Sequence, residues 1–177
     1  MNLSEWFSYQ LKASGEGFVW GVEQVPVERR EITPLSELGE WSVARHIFHM
    51  FYYEREMVTP SMQSWLRGET FLIDWDEYDE DKAWESQQPT SIEALLAEFQ
   101  RVRNEQIELL PQFDEALWNE EREAIWGKTV SMKLIVTKTF QHTAEHTNDV
   151  LQIALFWDSI LRRQEEEEAK QQEGETA

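Results

Sequence analysis

The residues of this sequence best suited to chemistry are its histidines, of which there are only four. His142 and His146 stand four residues apart in a long segment with helical periodicity. On an α-helix this spacing places both rings on one face, one turn from each other. Two imidazoles so placed can bind one metal ion, and a third ligand must then come from elsewhere in the chain.

The other two histidines, His46 and His49, lie three residues apart in a second segment with the pattern of a helix. One of them can face the axis of a helical bundle and supply a third imidazole nitrogen. Three neutral imidazoles bind a divalent cation at about 2.0 to 2.1 Å and leave positions open for water or substrate. The residues therefore predict a site for Zn²⁺, with Ni²⁺ and Fe²⁺ as the alternatives.

A purely structural role for the histidines is the competing interpretation. His142 and His146 interrupt a line of apolar residues on their helix, formed by Ile135, Ile153 and Ile160, so both side chains should point inward. Buried imidazoles need partners, which one metal ion can supply, but a single inward histidine is more often a core residue with its hydrogen bonds satisfied. These two residues alone leave both interpretations open.

Two known metal motifs were compared with the spacing of the histidines. The run from His142 to His146 matches the H-x-x-E-H pattern of inverted zincins, in which the glutamate, here Glu145, activates metal-bound water. That pattern requires a carboxylate ligand well downstream, where only an acidic tail remains. Di-iron carboxylate bundles need Glu-x-x-His pairs, and no histidine here follows a glutamate by three residues. Neither motif accounts for the histidines as well as a site of three imidazoles.

Four long helices must hold these residues. Apolar periodicity and the positions of proline and glycine predict helices over about 3–25, 41–67, 90–110 and 130–163, with an interruption at Pro60 in the second. Asn2 with Glu5, and Thr90 with Glu93, have the spacing of capping boxes. Helices of this number and length predict an all-α protein with the fold of a four-helix bundle.

Two acidic segments lie outside the predicted helices. Residues 69–85 are predicted to form a long loop that carries at most a short helix, and loops of this length often have a function. Residues 164–177 have no apolar side chain larger than alanine and are predicted to be disordered. The expected organisation is a four-helix bundle over residues 1–163 followed by an acidic disordered tail over residues 164–177.

Composition limits the classes of partner. The formal net charge of -19 and the pI near 4.5 argue against binding to nucleic acids or anionic membranes, because both require clustered lysine and arginine. The sequence has no cysteine, which excludes disulfides, thiolate ligands and a cysteine nucleophile. No signal peptide or membrane-spanning run is recognisable, so we expect a soluble cytoplasmic protein.

Two stretches resemble the signatures of a known family. Residues Trp41–His49 read WSVARHIFH and resemble the W-S-V-x-E-x-x-x-H signature of the DinB-like superfamily, which includes the YfiT-like metal-dependent hydrolases. The turn Gly127–Val130, followed by His142 and His146, is similar to the second signature of that family, a short turn leading into a helix with H-x-x-x-H. The resemblance covers residues 3–163, and the register of three histidines is its most specific part.

The resemblance implies a ligand set and a topology. It assigns His49, His142 and His146 as the metal ligands and leaves His46 as an additional histidine. It implies an up-down-down-up bundle, commonly a homodimer, with the metal at one end of the helical core. Arg45 stands where the family usually has an acidic residue. Asp149 lies three residues after His146, on the ligand face, as a partner of a ligand or as a further ligand.

The function that the resemblance implies is that of a metal-dependent enzyme. Characterised relatives are thiol-dependent transferases or isomerases, so we expect an S-transferase or hydrolase that acts on a small electrophilic molecule, with a low-molecular-weight thiol as a candidate cosubstrate. Candidates for holding a proton or a water are Glu145, Asp149, Tyr53 and Glu56. The alternative is a non-catalytic acidic helical bundle with an interaction or stress-response role, and a role on DNA is disfavoured by the net charge.

Overall fold

The computed structural model describes residues 2–87, 90–124 and 127–175. Its helices are α1 (Leu3–Gln24), α2 (Val43–Tyr53), α3 (Thr59–Leu66), α4 (Glu80–Ser86), α5 (Ile92–Leu109), α6 (Glu115–Asn119) and α7 (Met132–Glu175). A π-helical turn, Glu54–Val58, joins α2 to α3 without a loop. Strands β1 (Glu121–Glu123) and β2 (Thr129–Ser131) form a small antiparallel hairpin in which Arg122 pairs with Val130. The bundle consists of α1, the continuous α2–α3 unit, α5 and α7, which confirms the predicted fold class.

Side-chain contacts fix the directions of the four helices. Helix α1 contacts α5 through the pairs Phe18–Phe99 and Leu11–Arg103. Residue numbers rise along α5 as they fall along α1, so these two helices are antiparallel. Glu54–Arg103 and Gln63–Glu105 run in the same sense, so α2–α3 is parallel to α5. His46–His146 and His49–His142 make α7 antiparallel to α2. The bundle therefore has the predicted up-down-down-up order.

Local sequence signals set the helix boundaries. Asn2 and Glu5 form the predicted capping box, with each side chain bonded to the backbone N–H of the other at 2.9 Å. Ser42 caps α2 by accepting the backbone N–H of Arg45. Helix α5 is capped by Ser91, one residue later than predicted, through the backbone N–H of Ala94.

The interruption predicted at Pro60 takes the form of the π-helical turn. Proline has no N–H, and its ring would clash with the carbonyl four residues earlier in a regular helix. The backbone N–H of Thr59 bonds to Glu54 five residues earlier, which widens the helix just before Pro60. The chain therefore continues from α2 into α3 with a changed register instead of ending.

A buried polar network connects all four helices of the bundle. Arg103 of α5 forms an ion pair with Glu54, at 3.0 Å from its Nε to Oε2, and both side chains are almost completely buried. The same guanidinium donates to the Leu11 carbonyl on α1 at 2.9 Å and to Thr143 Oγ1 on α7 at 2.8 Å. Thr143 is the neighbour of His142, so this network fixes the position of the histidine-bearing part of α7 along the bundle axis, relative to the other helices.

The predictions for the two acidic segments compare differently with the structure. Residues 80–86 form α4, for which Asp79 is the N-cap, as a short helix in the predicted loop. Helix α7 continues to Glu175, so the predicted end near residue 163 was wrong, because Glu, Gln, Lys and Ala favour helix even without an apolar face. The predicted disorder of residues 164–177 is therefore not what the structure shows up to Glu175; residues 176 and 177 lie outside the described part. From 165 to 172 all side chains are exposed.

The described helices also bear on membrane insertion. None of them combines the length and the apolar character that crossing a bilayer requires.

Candidate metal centre

Three histidine rings from two helices converge inside the bundle. His49 Nε2 of α2 lies 3.0 Å from His142 Nε2 of α7, and His146 Nε2 lies 3.1 Å from the same atom. The ligand atoms of all three residues lie within 4.8 Å of one another. The spacing of four residues on α7 and the antiparallel crossing of α2 produce this arrangement. Of His46 and His49, the structure selects His49 as the third member.

Two of the three distances between the nitrogens are those of ligands around a single cation. Atoms bound at about 2.1 Å to one ion lie roughly 3.0 Å apart at neighbouring octahedral positions and roughly 3.4 Å apart at tetrahedral positions. The two observed distances, 3.0 and 3.1 Å, fall at the octahedral end of this range. The residues present therefore fit a divalent metal ion.

The hydrogen-bonding capacity of His142 points the same way. A ring nitrogen of a neutral imidazole carries either one proton or one lone pair, so it can form one good hydrogen bond. His142 Nε2 has two short contacts, with His49 and with His146. Its other nitrogen, Nδ1, is buried without a hydrogen-bond partner in the described part of the chain. A cation that faces all three lone pairs would account for both short contacts.

Burial keeps the α7 histidines in the form that binds metals. Desolvation, reinforced by the neighbouring histidines, lowers the pKa of His142 to about 4 and that of His146 to about 2. Desolvation also lowers the pKa of His46 to about 4. The rings of His46, His142 and His146 are therefore neutral near pH 7. A neutral imidazole has the lone pair that a cation requires.

His46 and Asp149 lie behind one of the three converging rings. His46 Nδ1 is 3.0 Å from His146 Nδ1, and Asp149 Oδ2 is 3.5 Å from the same atom. If His146 Nε2 faces a cation, Nδ1 carries the proton and donates it to one of these two acceptors. His46, the additional histidine of the sequence, thus has a place beside the site.

The four candidate catalytic residues separate into two groups. The ring of Tyr53 lies 4.7 Å from that of His142, and burial raises its pKa to about 12, so the phenol stays protonated. Asp149 also contacts the cluster, as described above. Glu145 is exposed and accepts a hydrogen bond from Gln141, and Glu56 pairs with Arg55. The structure therefore brings Tyr53 and Asp149 to the histidines but leaves the other two carboxylates outside the cluster.

Two residues beside the site were not found from the sequence. Glu80 places both carboxylate oxygens 2.9 Å from His49 Nδ1, and Arg45 forms an ion pair with the same carboxylate at 2.9 Å. The Trp41 ring is stacked on His146, with the centroids 5.9 Å apart and the planes 12° from parallel. The feature of the sequence that pointed toward Glu80 was Arg45. A charged residue on a helix that is otherwise buried requires an acidic partner.

The fold and the site together define the class of protein. A four-helix bundle in which histidines from facing helices converge on one point has the architecture that can hold a metal ion in its core. Within this class, residues 10–152 match the profile of the DinB superfamily, and the chain belongs to that family. This confirms the resemblance seen in the sequence.

A solved structure shares the fold. The chain is similar to YfiT from Bacillus subtilis, described as a probable metal-dependent hydrolase with an unusual four-helix bundle topology. The TM-score is 0.71 at 16% sequence identity, and the similarity covers 87% of this chain and 88% of YfiT. No curated protein matches the sequence.

Proposed function

We propose that this protein is a metal-dependent enzyme in which His49, His142 and His146 hold one divalent cation. The observation that carries the proposal is the convergence of three Nε2 atoms, with His142 Nε2 in short contact with both others. The description of YfiT as a probable metal-dependent hydrolase supports the same class of function. We propose Zn²⁺ as the metal, with Ni²⁺ and Fe²⁺ as the alternatives.

The reaction that we propose is hydrolysis of a small electrophile or transfer of a thiol to it. A divalent cation at this position would lower the pKa of water or of a low-molecular-weight thiol. The chain has no cysteine, so a thiol must come from a second substrate. Tyr53 presents a protonated phenol beside His142 and can donate a hydrogen bond to a substrate oxygen. The Trp41 ring covers His146 and limits access of water from that side.

We also propose that the protein is a homodimer. Trp6, Tyr9 and Trp20 of α1 are exposed although they are large and apolar, and their spacing places them on one face of the helix. Several large exposed aromatic side chains on one helix face are typical of an interaction site. Light scattering in solution should give twice the mass of the chain, and a monomer mass would contradict this part of the proposal.

Metal analysis tests the proposed function. Protein purified without a nickel column should contain close to one equivalent of divalent metal per chain. His142→Ala should lose it, because two imidazoles bind a cation much more weakly than three. Gln141→Ala changes an exposed neighbour on the same helix and should retain the metal. Equal and substoichiometric metal in wild type and His142→Ala would refute the proposal; hydrolase and thiol-transfer assays on the metal-loaded wild type then identify the reaction.

A further inference from the structure

We infer that Glu80 is a positioning residue of the metal centre, which holds His49 in the Nδ1–H tautomer and so directs the Nε2 lone pair at His142 and His146. The inference rests on the proposed function, because it assigns a role in the same site. It also connects the acidic segment 69–85, for which the sequence pattern predicted no definite role, to the histidines.

The geometry at His49 carries the inference. Both oxygens of Glu80 lie 2.9 Å from Nδ1, and a carboxylate only accepts hydrogen bonds, so Nδ1 must carry a proton. In the neutral ring the lone pair is then on Nε2, the atom that lies 3.0 Å from His142 Nε2. A carboxylate behind a histidine ligand orients the ring and makes its ligating nitrogen more basic.

Glu80 is itself held in place by other side chains. Arg45 Nη2 forms an ion pair with Oε1 at 2.9 Å, and the Tyr78 hydroxyl donates a hydrogen bond to Oε2 at 3.2 Å. The carboxylate is therefore fixed beside His49, and its ion pair with Arg45 favours the charged form.

Burial distinguishes Glu80 from the other acidic residues of its segment. Its side chain is 13% exposed, whereas the other acidic residues between 69 and 85 are all exposed. Arg45, which is also buried, packs its guanidinium against the rings of Trp41, Phe48 and Trp84. An acidic residue that served only solubility would not be held in this way.

Asp81 provides a matched control on the same helix. Its carboxylate contacts Arg45 at 2.7 Å, as that of Glu80 does, but its side chain is 90% exposed. Asp81→Asn therefore removes an ion pair between α4 and α2 and leaves the contact of Glu80 with His49. A difference between variants at positions 80 and 81 separates an effect on His49 from a general attachment of α4.

The first test measures the tautomer of His49 by ¹⁵N NMR in chelator-treated protein, so it does not depend on metal binding. Wild type and Asp81→Asn should show the Nδ1–H tautomer. Glu80→Ala should lose this preference, and Glu80→Gln should keep part of it, because the amide oxygen still accepts a hydrogen bond. An unchanged Nδ1–H tautomer in Glu80→Ala would overturn the inference.

The second test measures Zn²⁺ affinity by competition with a chromophoric chelator. Glu80→Ala should bind Zn²⁺ about 10 to 100 times more weakly than wild type, with Glu80→Gln between them and Asp81→Asn at the wild-type value. Wild-type affinity in Glu80→Ala would refute the positioning role. Failure of wild type to bind Zn²⁺, Ni²⁺ or Fe²⁺ would instead refute the proposed function, and the tautomer measurement would still report on Glu80.

Discussion

At the scale of single residues, the second ring nitrogens of the three converging imidazoles differ in what they contact. His49 Nδ1 faces Glu80, and His146 Nδ1 faces His46 at 3.0 Å. His142 Nδ1 is buried and has no such partner in the described residues. The Glu80 carboxylate can only accept, so it sets the tautomer of His49, whereas His46 can either donate to His146 or accept from it. The site is therefore more than a set of three ligands.

His46→Ala tests the partner of His146. The change removes the acceptor at 3.0 Å from His146 Nδ1 without removing a proposed ligand. We expect about one equivalent of metal to remain, with an affinity about 10 to 100 times lower, measured by chelator competition. Asp149→Asn is the comparison, because its oxygen is farther away at 3.5 Å. A larger loss of affinity in Asp149→Asn than in His46→Ala would identify Asp149 as the operative acceptor.

At the scale of the elements, the π-helical turn and α5 supply the contact that aligns the bundle. The turn carries Glu54, which is completely buried, and α5 carries Arg103, which reaches α1 and α7 as well. π-Helical turns are often found near functional sites. Here the π-helical turn places the buried carboxylate of Glu54 five residues after His49. Its partner Arg103 contacts Thr143, the neighbour of His142.

Arg103→Met tests the energetic role of this network. The variant leaves the Glu54 carboxylate buried without its cationic partner, and breaking such a pair typically costs about 3 to 5 kcal/mol of unfolding free energy. Urea unfolding at constant pH measures the loss. Arg101→Met is the control, because its pair with Glu98 is largely exposed and contributes about 0 to 1 kcal/mol. Equal losses in the two variants would show that the buried pair has no special role.

At the scale of the whole molecule, the sequence predicted what depends on local pattern and missed what depends on distant contacts. Periodicity and caps located the four helices, and the histidine register led to the right pair of helices. The hairpin was missed because three-residue strands are too short to show alternation. Glu80 was missed because its partner His49 lies 31 residues away and nothing in the acidic segment distinguishes it.

The pH dependence of stability tests the burial of the histidines across the whole fold. In metal-free protein, burial lowers the pKa of His46 and His142 to about 4 and that of His146 to about 2. The unfolded chain takes up protons on these rings below about pH 6.5, whereas the folded chain does not until near pH 4. Unfolding free energy should therefore fall from pH 7 to pH 5, by up to about 2 kcal/mol for each ring.

A variant with all three of these histidines replaced by glutamine isolates their effect from that of the carboxylates, which both proteins share. Urea unfolding with excess chelator at pH 7 and pH 5 gives the change in free energy for each protein. The wild type should lose more stability than the variant over this interval, because only its unfolded state gains protons on these positions. Parallel losses in the two proteins would mean that the pKa values of these rings are the same in the folded and the unfolded chain, which would contradict their burial as neutral imidazoles.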